Sequence, residues 1–285
     1  MAETKILNGL SIDWEEYYHA ENLKPYINTN NKESHITKLT EQILEILDQH
    51  NTKITFFILG EVAKEHPNLI KKIDGQGHEI ASHGYRHQLI YNQTNDEFFD
   101  DINITKILLE DLIGKQVVGY RAPNFSITDK TPWVYQELIK AGYQYSSSIF
   151  PIYHHRYSNI KKQRFPYYEI FEEKKILEIP LSTFELPILK SKFRFPVAGG
   201  AYWRLLPLKY NLYGLKRINN VENKSSFTYF HPWEYDQEQP NFDMPLLKKI
   251  RHYGGNKKFL KKLEIILRNF RFARYDLLVD SNYNL

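Results

Sequence analysis

Apolar runs and helix-period segments alternate through the first half of the chain, and this alternation restricts the fold more than any other feature. Ile6 to Ile12 is an apolar run; after a polar loop, Ile36, Leu39, Ile43, Leu44 and Leu47 recur as on one face of a helix. Ile54 to Leu59 is β-branched and aromatic, and the segment from Glu61 to Ile73 reads as a helix ending at Gly75 and Gly77. His78 to Ser82 reads as a short buried strand, Asp96 to Ile113 as a long amphipathic helix stopped by Gly114, and Val117 to Tyr120 as a strand broken by Pro123. Thr131 to Ala141 is a further helix, with Pro132 in its first turn and Gly142 past its end. Four such alternations predict an α/β fold: a parallel sheet or barrel covered by helices, with right-handed connections and functional residues at strand C-termini.

The second half is less regular. Tyr143 to Ser148, Ile176 to Leu181 and Phe227 to Phe230 read as strands, and no internal repeat or low-complexity linker divides the chain, so one domain is expected. Near the end, Phe259, Leu263, Ile266 and Phe270 form an apolar stripe beside Lys257, Lys258, Lys261, Lys262 and Arg268. Such a helix is expected to pack on the rest of the fold, peripheral contact with an anionic membrane surface being the alternative.

Composition removes several functional classes. Lys and Arg number 38 against 34 Asp and Glu, too small a surplus for a phosphate-tracking surface, so no nucleic-acid partner is expected. With no cysteine, disulfides, thiolate metal sites and a thiol nucleophile are excluded, and any metal must be held by His, Asp or Glu. The first residues lack a basic segment followed by an apolar run, which makes cytoplasmic residence the expectation. Charges or prolines interrupt every apolar stretch short of the ~20 residues needed to span a bilayer. The 21 tyrosines include side chains suited to stacking on sugar rings, although most are expected to serve ordinary packing.

Four strand ends carry chemistry. His83-Gly84-Tyr85-Arg86-His87 follows an apolar strand, and on a helical turn the four-residue spacing stacks both imidazoles on one side, as a shared cation requires. Ser11-Ile12-Asp13-Trp14-Glu15-Glu16 ends an apolar strand in three carboxylates; Asp13 and Glu15, two apart on extended chain, point the same way and could divide roles, one as metal ligand and one as base, the alternative being a solvated strand end with a helix N-cap. Phe230-His231-Pro232-Trp233 places a histidine at a late strand end, and Arg121-Ala122-Pro123-Asn124 brings a permanent cation to another. In a closed barrel these ends converge.

In order, spacing and context the four segments resemble the polysaccharide deacetylase superfamily, also called the NodB-homology carbohydrate esterases. The resemblance covers roughly residues 6 to 255 and implies a distorted (β/α)7 barrel, so residues 1–255 are expected to form the barrel and 256–285 a basic amphipathic helix and tail packed on it. It implies that Asp13 is the catalytic base, that Glu15, His83 and His87 hold a divalent metal, that Arg121 orients Asp13, and that His231 is the general acid. Ser147-Ser148-Ile149-Phe150-Pro151, Gly199 to Pro207 and His231-Pro232-Trp233-Glu234 look like the branch with Asp-x-Glu in its first element, associated with polysaccharide-export and exosortase clusters. By the same likeness Trp14, Pro123, Asn124, Tyr202, Arg204 and Trp233 are expected around the substrate. One departure stands out: where the family often has an aspartate tuning the catalytic histidine, this chain has Ser146.

The implied activity is metal-dependent removal of an N-acetyl group from a saccharide, a sugar nucleotide or a lipid-linked glycan, releasing acetate. Zn²⁺ is the first choice for two histidines and a carboxylate, with Fe²⁺, Co²⁺ or Mn²⁺ compatible. Two rivals are a metal-dependent hydrolase of a cyclic imide, ureide or formamide, and a carbohydrate-binding protein with a decayed site. Oligomeric state, including a homo-oligomer, is left open.

Overall fold

The computed structural model describes residues 6–27, 32–153, 160–188 and 191–283. The predicted alternation appears as β1 (Leu7–Trp14), α1 (Ile36–Gln49), β2 (Thr55–Ile58), α2 (Gly60–Glu65), α3 (Pro67–Gly75), β3 (Glu79–Ser82), α4 (Asn95–Ile113), β4 (Gly119–Tyr120), α5 (Val134–Lys140) and β5 (Tyr145–Ser146). The second half adds β6 (Tyr167–Phe171), β7 (Lys174–Glu178), the hairpin β8 (Thr183–Ile188) and β9 (Ser191–Pro196), α6 (Ala201–Leu205), α7 (Leu208–Lys216) and β10 (Phe227–Phe230). Then come α8 (Leu246–Tyr253), α9 (Asn256–Asn269), β11 (Arg271–Ala273) and α10 (Tyr275–Tyr283).

β10, β1, β2, β3, β4, β5 and β7 lie side by side in that order, all parallel. β6 adds an antiparallel edge to β7, and β11 pairs with the first residues of β1. The ring closes between β7 and β10 through single backbone bonds instead of a ladder: Ser182 N–H donates to Phe227 O at 3.0 Å, Tyr229 N–H to Ala198 O at 2.6 Å and Gly200 N–H to Tyr229 O at 2.9 Å. The result is a single-domain α/β fold, a distorted barrel of seven parallel strands.

Amphipathic helices cover it. In α1, Ile36, Leu39, Ile43, Leu44 and Leu47 are all buried against the core, each worth about 1.5–3 kcal/mol relative to exposure. α4 begins at a Thr94 cap with Glu97 reciprocating and ends at Gly114, which takes the left-handed φ of 67°. The helix expected over Glu61 to Ile73 is two, broken at His66, because Pro67 lacks the N–H that a continuing helix needs. The helix expected from Thr131 starts at Val134, so Pro132 lies in the preceding turn. The stripe of α9 faces inward, with Phe259, Leu263, Ile266 and Phe270 all buried, which removes the apolar face that membrane contact through this helix would need. No helix among the described residues is long and apolar enough to cross a membrane.

The sheet also buries carboxyl groups. Glu178, at the end of β7, accepts from Ser148 N–H at 2.8 Å, Ile149 N–H at 3.0 Å and Tyr135 Oη at 3.1 Å, yet burial pushes its pKa up to about 7. A carboxyl whose folded pKa is raised contributes stability that is fully present below its unfolded pKa and lost as pH rises through the folded one. Glu178→Gln keeps an acceptor for both N–H groups and a donor for Tyr135, so its melting temperature is expected to fall less than that of the natural protein between about pH 5 and 8. The difference should be on the order of 3 kcal/mol at the alkaline end. Parallel melting curves for the two proteins across that range would show that Glu178 is not titrating there.

Candidate active site

The C-terminal ends of β1, β3, β4 and β10 meet around one pocket. Where β1 stops, Glu15 N–H turns back to Asp13 O at 3.1 Å, and both carboxylates are buried in the pocket wall. The third acid, Glu16, turns away and accepts from Ile36 N–H at 3.0 Å and His35 N–H at 3.3 Å, so it caps α1. Arg121, fully buried, gives Nη1 to Asp13 Oδ1 at 2.5 Å and Ser11 Oγ at 2.8 Å. Its Nε reaches Ser147 O at 2.9 Å and its Nη2 reaches Ser147 Oγ at 2.8 Å and Tyr275 Oη at 3.3 Å. Burial disfavours the guanidinium charge, but Asp13 and Tyr275 outweigh it and the pKa moves up. Tyr275 escaped sequence reasoning, since nothing local marks a helix-start tyrosine as a partner of a residue 154 positions away.

His83 and His87 converge by a different route from the helical turn expected. They lie on an irregular loop, in which Gly84 has φ 76° and His87 φ 53°; a Cβ at Gly84 would meet Asp101 Oδ2 at 2.7 Å, the oxygen that accepts from Tyr85 N–H at 2.8 Å. Glu15, His83 and His87 are all buried and their ligand atoms lie within 4.8 Å of one another.

This set fits a divalent cation. His83 Nδ1 donates to Arg121 O at 2.9 Å, leaving Nε2 with its lone pair for a metal. Burial, reinforced by His87, lowers the His83 pKa to about 4, so the ring is neutral as a ligand must be. Burial alone would raise the Glu15 carboxyl, but His87, His231 and His83 hold it well below the usual carboxylate range. Glu15 Oε2 sits 2.8 Å from His87 Nε2 without hydrogen-bond alignment, and it has no other partner among the described residues. Its other oxygen accepts from Trp233 Nε1 at 3.1 Å.

Opposite Asp13 stands His231, its Nε2 3.9 Å from Asp13 Oδ2 and 3.7 Å from Glu15 Oε1. Its Nδ1 lies 3.5 Å from Glu234 Oε2, and Arg204 Nε holds Glu234 Oε1 at 3.0 Å. Burial disfavours the imidazolium, yet Glu234, Glu15 and Asp13 outweigh it and the His231 pKa is raised. The acid that tunes His231 is therefore Glu234, three residues on. Ser146 does not face this histidine; it donates to Ser148 Oγ at 2.8 Å, beside Glu178. The run His231-Pro232-Trp233-Glu234 was the available signal, because Pro232 opens a short 3-10 turn that brings residue 234 back under residue 231.

The other expected substrate contacts separate. Asn124, Arg204 and Trp233 line the pocket, together with Phe125, Tyr229, Arg251 and His252. Trp233 is stacked between His231 and His252, with ring centroids 4.5 and 5.1 Å away. Trp14 is fully buried and donates to Thr40 Oγ1 at 2.8 Å, because alternation along β1 turns it to the face opposite Asp13. Pro123 is buried at the start of a turn whose next two residues take positive φ, and Tyr202 packs on Phe150 outside the pocket.

Residues 28–146 match the family model described as polysaccharide deacetylase, and residues 147–280 match a domain of unknown function (DUF3473). Residues 28–146 are thus similar in sequence to the polysaccharide deacetylases. This match contains His83, His87 and Arg121, while Asp13 and Glu15 precede it and His231 lies in the DUF3473 segment. A peptidoglycan-N-acetylglucosamine deacetylase of Bacillus cereus is 40% identical over 86 residues, 30% of this chain and 31% of its own length. The peptidoglycan-N-acetylmuramic acid deacetylase PdaA of Bacillus subtilis is 26% identical over 140 residues, 49% of this chain and 52% of its own. The chain thus spans from about a third to a half of the length of these curated relatives. A Mycobacterium smegmatis structure ascribed to the polysaccharide deacetylases superimposes with a TM-score of 0.62 at 18% identity, covering 99% of this chain and 93% of that one; this likeness concerns the fold.

Purified protein equilibrated with a divalent metal and then dialysed is expected to retain about one ion per chain, and the His83→Ala/His87→Ala double variant to retain none, since a single remaining ligand rarely holds a cation. Metal analysis showing full occupancy in the double variant would overturn the ligand assignment.

Proposed function

We propose that this protein is a carbohydrate N-deacetylase dependent on a divalent metal held by Glu15, His83 and His87. The observation that carries the reading is that Asp13 and His231 face each other across those three side chains, one bound to a buried arginine and the other backed by a buried glutamate. Hydrolysis of an acetamide needs a base for the attacking water, stabilisation of the tetrahedral oxyanion and a proton for the departing amine.

Arg121 occupies Asp13 Oδ1 and leaves Oδ2 toward the pocket, so Oδ2 accepts the proton of the attacking water. His231 presents Nε2 to the same space and gives its proton to the amine nitrogen as the carbon–nitrogen bond breaks; Glu234, fixed by Arg204, keeps that ring protonated. Asn124, in the pocket wall, has a buried Nδ2 with no hydrogen-bond partner among the described residues. A bound cation would supply Lewis-acid activation of water and of the acetamide carbonyl. Zn²⁺ suits two imidazoles and one carboxylate, and Fe²⁺, Co²⁺ and Mn²⁺ also suit them.

The Asp13-Trp14-Glu15 spacing and the His231 to Glu234 run support the Asp-x-Glu branch associated with polysaccharide export, and with it an N-acetylated precursor of a surface polysaccharide as substrate. The test is acetate release from a panel of N-acetylated sugars, sugar nucleotides and oligosaccharides by the metal-loaded protein. Asp13→Asn is expected to keep its metal and lose about 10²–10⁴ in kcat, and Glu15→Gln to lose metal. An Asp13→Asn variant turning over at the natural rate would place the base elsewhere.

A further inference from the structure

Helix α8 presents its large apolar side chains to solvent. Leu246 is 72% exposed, Leu247 81% and Ile250 51%, whereas the apolar stripe of the neighbouring α9 is buried. Leu246 and Ile250 are one turn apart and Leu247 lies between them, so the three share one side of the helix. Leu205, 42% exposed, extends the patch: its Cδ2 reaches the end of α8 at Gly254. Arg251 and His252, on the same helix, belong to the wall of the active-site pocket, so the patch borders the pocket's rim.

The charge around the patch is one-sided. From residue 244 to 263 the chain has Lys248, Lys249, Arg251, Lys257, Lys258 and Lys261, besides a Lys262 that donates to the carbonyls of Trp203, Arg204 and Leu206, and no Asp or Glu, although the whole chain has a net charge of only +4. An exposed leucine and isoleucine face inside a cationic stretch complements a surface that is apolar within and anionic without. A second copy of the chain fits less well, because isologous pairing would bring the two cationic stretches together. A nucleic acid would satisfy the lysines and leave the leucines in water.

We propose that α8 docks this protein on an anionic bilayer surface, with Leu246, Leu247 and Ile250 entering the headgroup layer and the pocket mouth opening beside it. The inference goes beyond the deacetylase reading and does not depend on it.

Co-sedimentation with phosphatidylcholine vesicles, with and without phosphatidylglycerol, tests it on the full chain. The natural protein is expected to pellet with the anionic vesicles and to remain in solution with the neutral ones. Leu246→Ser/Leu247→Ser/Ile250→Ser should weaken that binding at least about tenfold, and Lys248→Gln/Lys249→Gln should reduce it and make it less salt-dependent. Circular dichroism and metal content verify that both variants are folded. No binding by the natural protein, or equal binding by the triple-serine variant, overturns the proposal. Sedimentation velocity without lipid supplies the third outcome: self-association that the triple-serine variant abolishes, with no vesicle binding, would assign the patch to a second copy and equally overturn it.

Discussion

A guanidinium buried without access to water must find acceptors for its donors, and Arg121 sets that requirement for the whole centre of the barrel. Its acceptors come from β1, from the segment after β5 and from the start of α10. Phe57 on β2 lies beneath it, 4.0 Å from ring centroid to guanidinium carbon. Its own carbonyl accepts from His83 Nδ1, so the residue that holds the proposed base also orients a proposed metal ligand. Loss of any one partner leaves part of a buried charge uncompensated, a cost of several kcal/mol. The proposed metal ligand His83 and the proposed base Asp13 therefore share one rigid support.

A second ionic chain runs parallel to the first on the opposite wall. Arg204 on α6 is bound by the carbonyls of Arg251, His252 and Gly254 and by Asn256, and it in turn holds Glu234 under His231. Arginine suits both places because its planar fork satisfies several acceptors in fixed directions. Asp13 and His231 are thus each backed by a buried arginine, one directly and one through a carboxylate. The pocket keeps opposite charges in register without relying on solvent.

Much of this was legible in the sequence because the first half obeys simple periodicities. The apolar repeat of α1, the Thr94 cap and the Gly114 stop are local signals, and the structure uses them locally. Asp13, His83, Arg121 and His231 were visible because each follows an apolar strand, and parallel strands deliver their C-terminal ends to one face. Relations made only in three dimensions were hidden. His83 and His87 have the spacing of a helical pair but meet on a loop whose left-handed glycine leaves room for Asp101. Trp14 sits among acids in the chain, yet strand alternation turns it into the core. Tyr275 acts through a partner, Arg121, that no spacing rule connects to it.

The contact between Tyr275 and Arg121 also bears on when the pocket comes into being. A chain emerging from the ribosome displays Asp13, the two loop histidines and His231 well before residues 271–275 are made. Until they arrive, β1 lacks the pairing that β11 gives it, and Ser11 and Arg121 lack the tyrosine hydroxyl. A nascent chain that already contains every titrating group of the pocket is therefore still without part of the floor beneath it. The support beneath the pocket is thus completed last in the order of synthesis, by a residue that does not itself line the pocket.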